Sequence, residues 1–248
     1  MELLAKETLA QRFSQNSYLT TFKLPEEILP SKEILNLYIE AAKRAESTIK
    51  IFGKDIKPKR DFLALDSYNF SRETHEGHKI EDGGWIEKIL SFLNKELQKE
   101  GDPEFNATLI NVYTPDSGIG LHSDDERDLF PNSPVVGISF YVGEEGFPNS
   151  YERTIKFTKK KEKNMKREEE GVPKKESVDK PPRKRAQPSL PILKNSFAES
   201  FNLKLEKNKG YVMRGAFQKE INHRIDPEKR KCGTRISFTI RCFEKKDK

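Results

Sequence analysis

Three residues of this sequence could together bind one metal ion. His122 and Asp124 lie two positions apart in the string LHSDDE, and His223 is one of the three other histidines of the chain. On an extended segment the pair would point to one side, and a second imidazole from a distant strand would complete the 2-His-1-carboxylate facial triad of non-haem Fe(II) sites. The pair alone is a weak signal, because chance supplies one in about one chain in five of this composition. The alternative is a surface histidine beside acidic residues.

A strand near the C-terminus could bind a carboxylate. Polar and apolar residues alternate from Arg235 to Arg241, so that side chains of one kind share a face. The polar face holds Arg235, Ser237, Thr239 and Arg241, and the apolar face holds Ile236, Phe238 and Ile240. Because a guanidinium can bind a carboxylate through two parallel hydrogen bonds, the polar face would suit a dicarboxylate such as 2-oxoglutarate. The alternative is an amphipathic strand with a solvated polar face.

A second strand offers an amide and a phenol. In ATLINVY, Asn111 and Tyr113 share one face, while Ile110 and Val112 take the other. An amide and a phenol can hydrogen-bond a carboxylate and fix its orientation. Core packing of Tyr113 with a structural Asn111 is the alternative.

Helices followed by short strands indicate an α+β fold. Ser31 to Thr48 and Gly84 to Glu100 have apolar residues at helical spacing. Runs of β-branched and aromatic residues follow at 107–113, 134–143, 153–159, 201–215 and 234–243. Two helices followed by about six or more short strands predict a sandwich or a barrel.

The positive charge is concentrated in one segment. The net charge is +6, but Arg153 to Pro188 alone has 14 Lys/Arg against 6 Asp/Glu, which leaves −2 for the rest. Residues 159–188 have almost no apolar side chains and several prolines, which predicts a disordered basic insertion between two strands. The two cysteines form no metal motif, and neither a membrane span nor a secretory signal is recognisable. We therefore expect an intracellular protein, cytoplasmic or nuclear, without a membrane partner.

Four separated blocks of the sequence resemble the AlkB family of Fe(II)- and 2-oxoglutarate-dependent dioxygenases. They are Asn111 to Tyr113, Gly120 to Glu126, Met213 to Gln218 with the following His223, and the Arg-x5-Arg element ending at Arg241. The resemblance covers roughly residues 105–243, and Ser237 stands where many members have asparagine. It implies a double-stranded β-helix (jelly-roll) core in residues 105–243, with N-terminal helices packed on its major sheet. Residues 1–104 would form a helical and substrate-lid extension.

The resemblance also implies a role for each candidate residue. The ligands of Fe(II) would be His122, Asp124 and His223. With 2-oxoglutarate as cosubstrate, Arg235 would pair with its distal carboxylate, supported by Asn111 and Tyr113. Arg241 would lie nearer its keto-acid end.

For the substrate, the family places acidic side chains after the metal ligands, here Asp125 and Glu126. A carboxylate would favour cationic 1-methyladenine or 3-methylcytosine over a neutral base, whereas a solvated acidic turn is the alternative. A base must leave its stack to be reached, so the expected partner is methylated single-stranded or flipped-base DNA or RNA. Arg60 and Tyr68 would hold phosphates and stack on the base, although core packing explains Tyr68 equally well.

The expected function is oxidative demethylation of N-alkylated bases, a form of DNA or RNA repair, by a monomeric enzyme. It would convert 2-oxoglutarate to succinate and release the methyl group as formaldehyde. One alternative keeps Fe(II) and 2-oxoglutarate but oxidises a protein side chain. Another is a catalytically inactive RNA-binding module whose basic insertion supplies the affinity.

Overall fold

A computed structural model describes residues 8–51, 54–70, 73–124, 126–143, 152–161, 198–228 and 233–244. Most of the predicted basic insertion, all but residues 159–161, lies outside them. The insertion therefore stays a prediction.

The strands are β1 (Thr8–Arg12), β2 (Ser17–Lys23), β3 (Ile49–Ile51), β4 (Lys54–Ile56), β5 (Asp61–Ala64), β6 (Tyr68–Phe70), β7 (Glu73–His75), β8 (Ala107–Tyr113), β9 (Ile119–His122), β10 (Val135–Val142), β11 (Thr154–Lys159), β12 (Ser200–Lys204), β13 (Lys209–Gly215), β14 (Ile221–Ile225) and β15 (Thr234–Arg241). The helices are α1 (Lys32–Ala45), α2 (Trp85–Glu96) and α3 (Phe217–Glu220), with a 3-10 turn at Glu26–Ile28.

Within the described residues, the strands form two larger sheets and two hairpins. Seven strands make the major sheet, in the order β1-β2-β13-β10-β15-β8-β5, and four make the minor sheet, in the order β12-β11-β14-β9. Neighbouring strands run antiparallel in both sheets. β3 pairs with β4, and β6 with β7, as separate hairpins. Two facing antiparallel sheets, with helices on the larger one, confirm the predicted α+β jelly-roll with N-terminal helices on its major sheet.

Each long helix is capped by a side chain at its start. Ser31 Oγ accepts a hydrogen bond from the backbone N–H of Ile34 in the first turn of α1. The carboxylate of Asp82 accepts from three backbone N–H groups at the start of α2 and from the hydroxyl of Tyr38 on α1. Asp82 therefore caps α2 and joins it to α1. Both helices begin where the sequence predicts, and both end three or four residues earlier than predicted.

Two apolar cores lie on opposite sides of the major sheet. On the outer side, the rings of Trp85 and Tyr38 pack edge-on against Phe238 of β15, with centroids 5.1 and 5.2 Å away. The inner core fills the space between the sheets, where Phe157 of β11 packs against Phe217 of α3. The apolar residues of β15, Ile236, Phe238 and Ile240, belong to the outer core, as the sequence predicts. The arginines of β15 consequently face the space between the two sheets.

The N-terminal third contributes strands as well as the predicted helices. β2 pairs with β13 and β5 pairs with β8, so both belong to the major sheet. The sequence did not predict these strands, nor β9 and β14 in the minor sheet. The proposed division at residues 104 and 105 stays a prediction. In the described part of the chain, no helix is long and apolar enough to cross a membrane.

Candidate active site

The minor sheet brings the two candidate histidine ligands together. His122 ends β9, and His223 lies directly opposite it on β14. Their ring centroids are 4.2 Å apart. Asp124 follows β9, and its carboxylate oxygens lie 3.9 Å from Nε2 of His122 and 3.8 Å from Nε2 of His223. One possible ligand atom from each residue lies within 4.8 Å of the other two, which suits a single metal ion.

The protonation states of these groups suit metal binding. Burial raises the pKa of Asp124, but Arg241 and the two imidazoles outweigh it and hold the pKa below its ordinary value. Burial, and then His122, lower the pKa of His223 to about 3. A carboxylate and a neutral imidazole are the forms that bind a metal.

Hydrogen bonding also leaves the right atoms available. Nδ1 of His122 lies 2.8 Å from the carbonyl oxygen of Gly120, a contact that leaves Nε2 as the lone-pair nitrogen. Among the described residues, Asp124 Oδ2, the oxygen that lies 3.8 Å from Nε2 of His223, is buried without a hydrogen-bond partner. Because buried polar atoms are normally satisfied, the residues present fit a bound cation.

Arg241 connects the major sheet to the metal ligands. Its Nη2 donates to Oδ1 of Asp124 at 2.9 Å and lies 3.1 Å from Oε1 of Glu126. The backbone N–H of Asp124 also donates to Oε1 of Gln218, at 2.9 Å. The first contact restricts the orientation of the Asp124 carboxylate, and the second restrains the backbone that carries it. Gln218 lies in a block that resembles the AlkB family, but no spacing rule singles it out.

Arg235 is a buried cation on the inner face of the major sheet. It is fully buried, and its guanidinium donates to the hydroxyls of Ser139 and Ser237 at 2.9 to 3.1 Å. The guanidinium also lies over the ring of Tyr113, 4.9 Å from the centroid. Among the described residues no carboxylate pairs with Arg235, and its Nη1 has no hydrogen-bond partner. A buried charge is costly without a counter-charge, so this pocket suits an anion.

Asn111 contacts a residue expected to bind substrate. Arg60 Nε donates to Asn111 Oδ1 at 2.8 Å, and its guanidinium lies 5.8 Å from the ring centroid of Phe62. Phe62 on β5 is the register partner of Asn111 on β8. Arg60, the predicted phosphate-binding arginine, is therefore half-buried and bonded to Asn111, a predicted 2-oxoglutarate-binding residue.

The remaining predicted substrate residues are placed differently. Glu126 is buried and paired with Arg241. Asp125 lies outside the described residues, and of Tyr68 only the backbone, in β6, is described. Their roles stay predictions.

Sequence reasoning missed three buried residues between the sheets. Ser139 contacts Arg235, and the alternation of β10 could have placed it on the inner face. Tyr211 of β13 lies over Gly137 of β10, and burial raises its pKa. Arg153, counted with the basic segment, is buried and lies over the ring of Tyr113.

Comparison with known proteins gives one family. Residues 31–241 match the family model described as the 2OG-Fe(II) oxygenase superfamily. No curated protein matches the chain. A solved structure named OsALKBH1 is 14% identical, with a TM-score of 0.47 over 95% of this chain and 99% of that one. A prolyl-4-hydroxylase from Pseudomonas putida is 14% identical, with a TM-score of 0.44 over 92% of this chain and 93% of that one. At this level of similarity neither structure bears on the choice of substrate.

Proposed function

Because this chain belongs to the 2OG-Fe(II) oxygenase superfamily, we propose that it is an AlkB-type demethylase of N-alkylated bases in nucleic acid. The chain is a dioxygenase that uses Fe(II) and 2-oxoglutarate. One observation carries the proposal at the level of residues. The His122, Asp124 and His223 cluster lies at the minor sheet, and Arg235 of the major sheet is a buried cation that no carboxylate pairs with among the described residues.

Residues of the minor sheet would bind the metal, and residues of the major sheet would bind 2-oxoglutarate. When bound, Fe(II) and 2-oxoglutarate supply the oxidising chemistry that hydroxylates a C–H bond. The metal would be held by His122, Asp124 and His223. Arg241 keeps Asp124 ionised and oriented, since it donates a hydrogen bond to it at 2.9 Å. Arg235 would pair with the distal carboxylate of 2-oxoglutarate, with Asn111 and Tyr113 beside it.

The proposed substrate follows from the order of the AlkB-like blocks and from Arg60. Hydroxylation of an N-methyl group gives an unstable product that loses formaldehyde and restores the base. Arg60 offers a guanidinium for a phosphate and touches Asn111, so substrate and cosubstrate would bind next to each other. Tyr68 would stack on a base that has left its duplex, and Asp125 would face the positive charge of that base.

One observation favours a second candidate, the oxidation of a protein side chain. Glu126 is buried and paired with Arg241, so its charge is already partly compensated. A compensated carboxylate distinguishes a cationic base from a neutral one poorly. If Glu126 is not a base-recognition residue, one reason for preferring nucleic acid is lost.

The test incubates the protein with Fe(II), 2-oxoglutarate, oxygen and matched oligonucleotides, single-stranded DNA and RNA that carry 1-methyladenine or 3-methylcytosine. We expect formaldehyde and succinate in equal amounts, and neither from His223→Ala. Succinate without loss of a base methyl group would move the substrate away from nucleic acid. Absence of succinate with any substrate, together with tight RNA binding, would identify an inactive binding module.

A further inference from the structure

Arg153 is a buried arginine beside Tyr113, one of the predicted 2-oxoglutarate-binding residues. It directly precedes β11, and 2% of its surface is exposed. Its guanidinium lies 5.5 Å from the ring centroid of Tyr113, the same ring that the Arg235 guanidinium approaches at 4.9 Å. Two cation–π contacts therefore converge on one phenol ring.

The same guanidinium joins the chain segments on either side of the metal ligands. It donates to the carbonyls of Thr114 and Ser117, at 3.2 and 2.6 Å, in the connection between β8 and β9. It also donates to the carbonyl of Asp226, at 2.5 Å, just after β14. The Arg153 side chain therefore contacts both the loop that leads into β9, which carries His122, and the residue that follows β14, which carries His223.

The backbone of Arg153 reaches the other side of Arg235. Its N–H donates to the hydroxyl of Tyr141 at 2.9 Å, and that hydroxyl donates to the carbonyl of Leu205 at 2.7 Å. In the register of the major sheet, Arg235 lies between Tyr141 on β10 and Tyr113 on β8. Arg153 therefore contacts both tyrosines that flank Arg235.

We infer that Arg153 is a positioning residue for 2-oxoglutarate, an inference that rests on the proposed function. Its guanidinium, bonded to three carbonyls and packed on a ring, fixes Tyr113 and Tyr141 and thereby the direction of Arg235. A pocket arranged before binding does not have to be ordered by the ligand, so affinity is higher. Lysine in place of Arg153 would keep the charge but lose the planar fork that reaches several acceptors at once.

The test measures binding of 2-oxoglutarate by calorimetry, without oxygen, to protein loaded with Mn(II) in place of Fe(II). For Arg153→Lys we expect the Kd for 2-oxoglutarate to rise about tenfold, while the Kd for Mn(II) changes less than about twofold. The matched control is Arg214→Lys. Arg214 is equally buried and bonded to Asp102 and to the Leu97 carbonyl, next to the end of α2. This control should unfold at lower temperature but bind 2-oxoglutarate with unchanged affinity.

A milder variant covers the case in which Arg153→Lys fails to fold. Tyr141→Phe keeps the ring and removes the hydroxyl that Arg153 contacts, and should raise the Kd for 2-oxoglutarate about threefold. Unchanged affinity in Tyr141→Phe and in any folded Arg153→Lys, beside tight binding by the unaltered protein, overturns the inference and leaves the proposed function standing. If the unaltered Mn(II)-loaded protein binds no 2-oxoglutarate, the proposed function fails and the inference fails with it.

Discussion

At the scale of single residues, the site combines compensated and uncompensated buried charges. Arg241 lies between the carboxylates of Asp124 and Glu126 and pairs with both. Arg235 has hydroxyls and a ring around it, but no carboxylate among the described residues. The two arginines of the Arg-x5-Arg element therefore do different work. Arg241 orders the candidate metal ligand Asp124, and Arg235 would bind an anion.

The first prediction concerns Arg235. Arg235→Lys should raise the Kd for 2-oxoglutarate about 10- to 100-fold, because a bidentate, charge-assisted pair is replaced by a single ammonium. The affinity of the metal-free protein for Mn(II) should stay the same, since Arg235 does not touch the metal ligands. Anaerobic calorimetry measures both constants. An equal loss of metal affinity would contradict the separation of the two roles.

The second prediction concerns His223 in the metal-free protein. Its pKa is about 3 when folded, against about 6.5 in an unfolded chain. Below about pH 6.5 the unfolded chain therefore takes up a proton that the folded chain refuses, so the free energy of unfolding falls. Between about pH 6.5 and 4 the free energy of unfolding should fall by up to about 1.4 kcal/mol for each pH unit. Above that range His223 is neutral in both states and should not make the free energy of unfolding depend on pH.

Urea unfolding in the presence of a chelator measures this slope. His223→Asn, which has no titrating group, is the control and should show a shallower dependence by about one proton. Identical slopes for the two proteins would mean that His223 is protonated in the folded state.

At the scale of elements, the two sheets divide the site between them. β9 and β14 of the minor sheet supply the histidines, whereas β8 and β15 of the major sheet supply the candidate cosubstrate residues. Within the major sheet, the neighbouring strands β10 and β13 are in close contact where a glycine lies against a tyrosine ring. A Cβ atom on Gly137 would lie 2.3 Å from the ring of its register partner Tyr211.

The third prediction therefore concerns Gly137. Gly137→Ala should lower the free energy of unfolding by about 1–3 kcal/mol, because the methyl group overlaps the Tyr211 ring. In a Gly137→Ala/Tyr211→Val double variant the overlap is gone, so the combined loss should be smaller than the sum of the two single losses. Urea unfolding of all four proteins gives the coupling. Strict additivity would show that the ring moves aside freely.

What the sequence predicts about these elements depends on their length. β8 and β15 have seven and eight residues with an apolar face, so alternation reveals both the strands and the side on which Asn111 and Arg235 lie. β9 and β14 have four and five residues, too few for a period to show. Residue type and family resemblance, and not periodicity, predict the role of their histidines. Only the pairing between β9, β14 and β11, which are distant in the sequence, identifies the strands that carry these histidines.

Arg153 shows a different limit. In the sequence it begins a basic stretch, and its charge is indistinguishable from that of its solvated neighbours. Its burial is compensated by carbonyls that lie about 40 and 70 positions away along the chain. No local pattern carries that information. The same holds for Ser139, whose hydroxyl acquires its role only when Arg235 lies beside it.

At the scale of the whole molecule, metal and cosubstrate would bind between the two sheets. Arg241 on β15 and Asp124 after β9 provide a polar contact across this space. A ligand that also binds across this space ties the sheets together and stabilises the native state by mass action.

The fourth prediction is that 2-oxoglutarate raises the unfolding temperature only when metal is present. At a concentration of about 100 times its Kd, the stabilisation should be about 2.7 kcal/mol. Thermal scans with and without Mn(II) measure it, and Arg235→Lys at the same cosubstrate concentration is the control. An equal shift in the metal-free protein would show that 2-oxoglutarate binds elsewhere.

The position of β9 has a consequence for how the enzyme keeps and loses its metal. Among the described strands, β9 is the last of the minor sheet, and it is held to β14 by short, irregular pairing in which His122 lies opposite His223. Edge strands open locally more easily than central ones, which amide hydrogen exchange detects. A metal ion bound by both histidines would hold the edge strand β9 to β14. Backbone amides of β9 should therefore exchange much faster in the metal-free protein, while those of β15 stay protected in both forms. If β9 exchanges equally slowly without metal, the metal does not stabilise this edge; faster exchange would show that the bound metal holds the edge strand in the sheet.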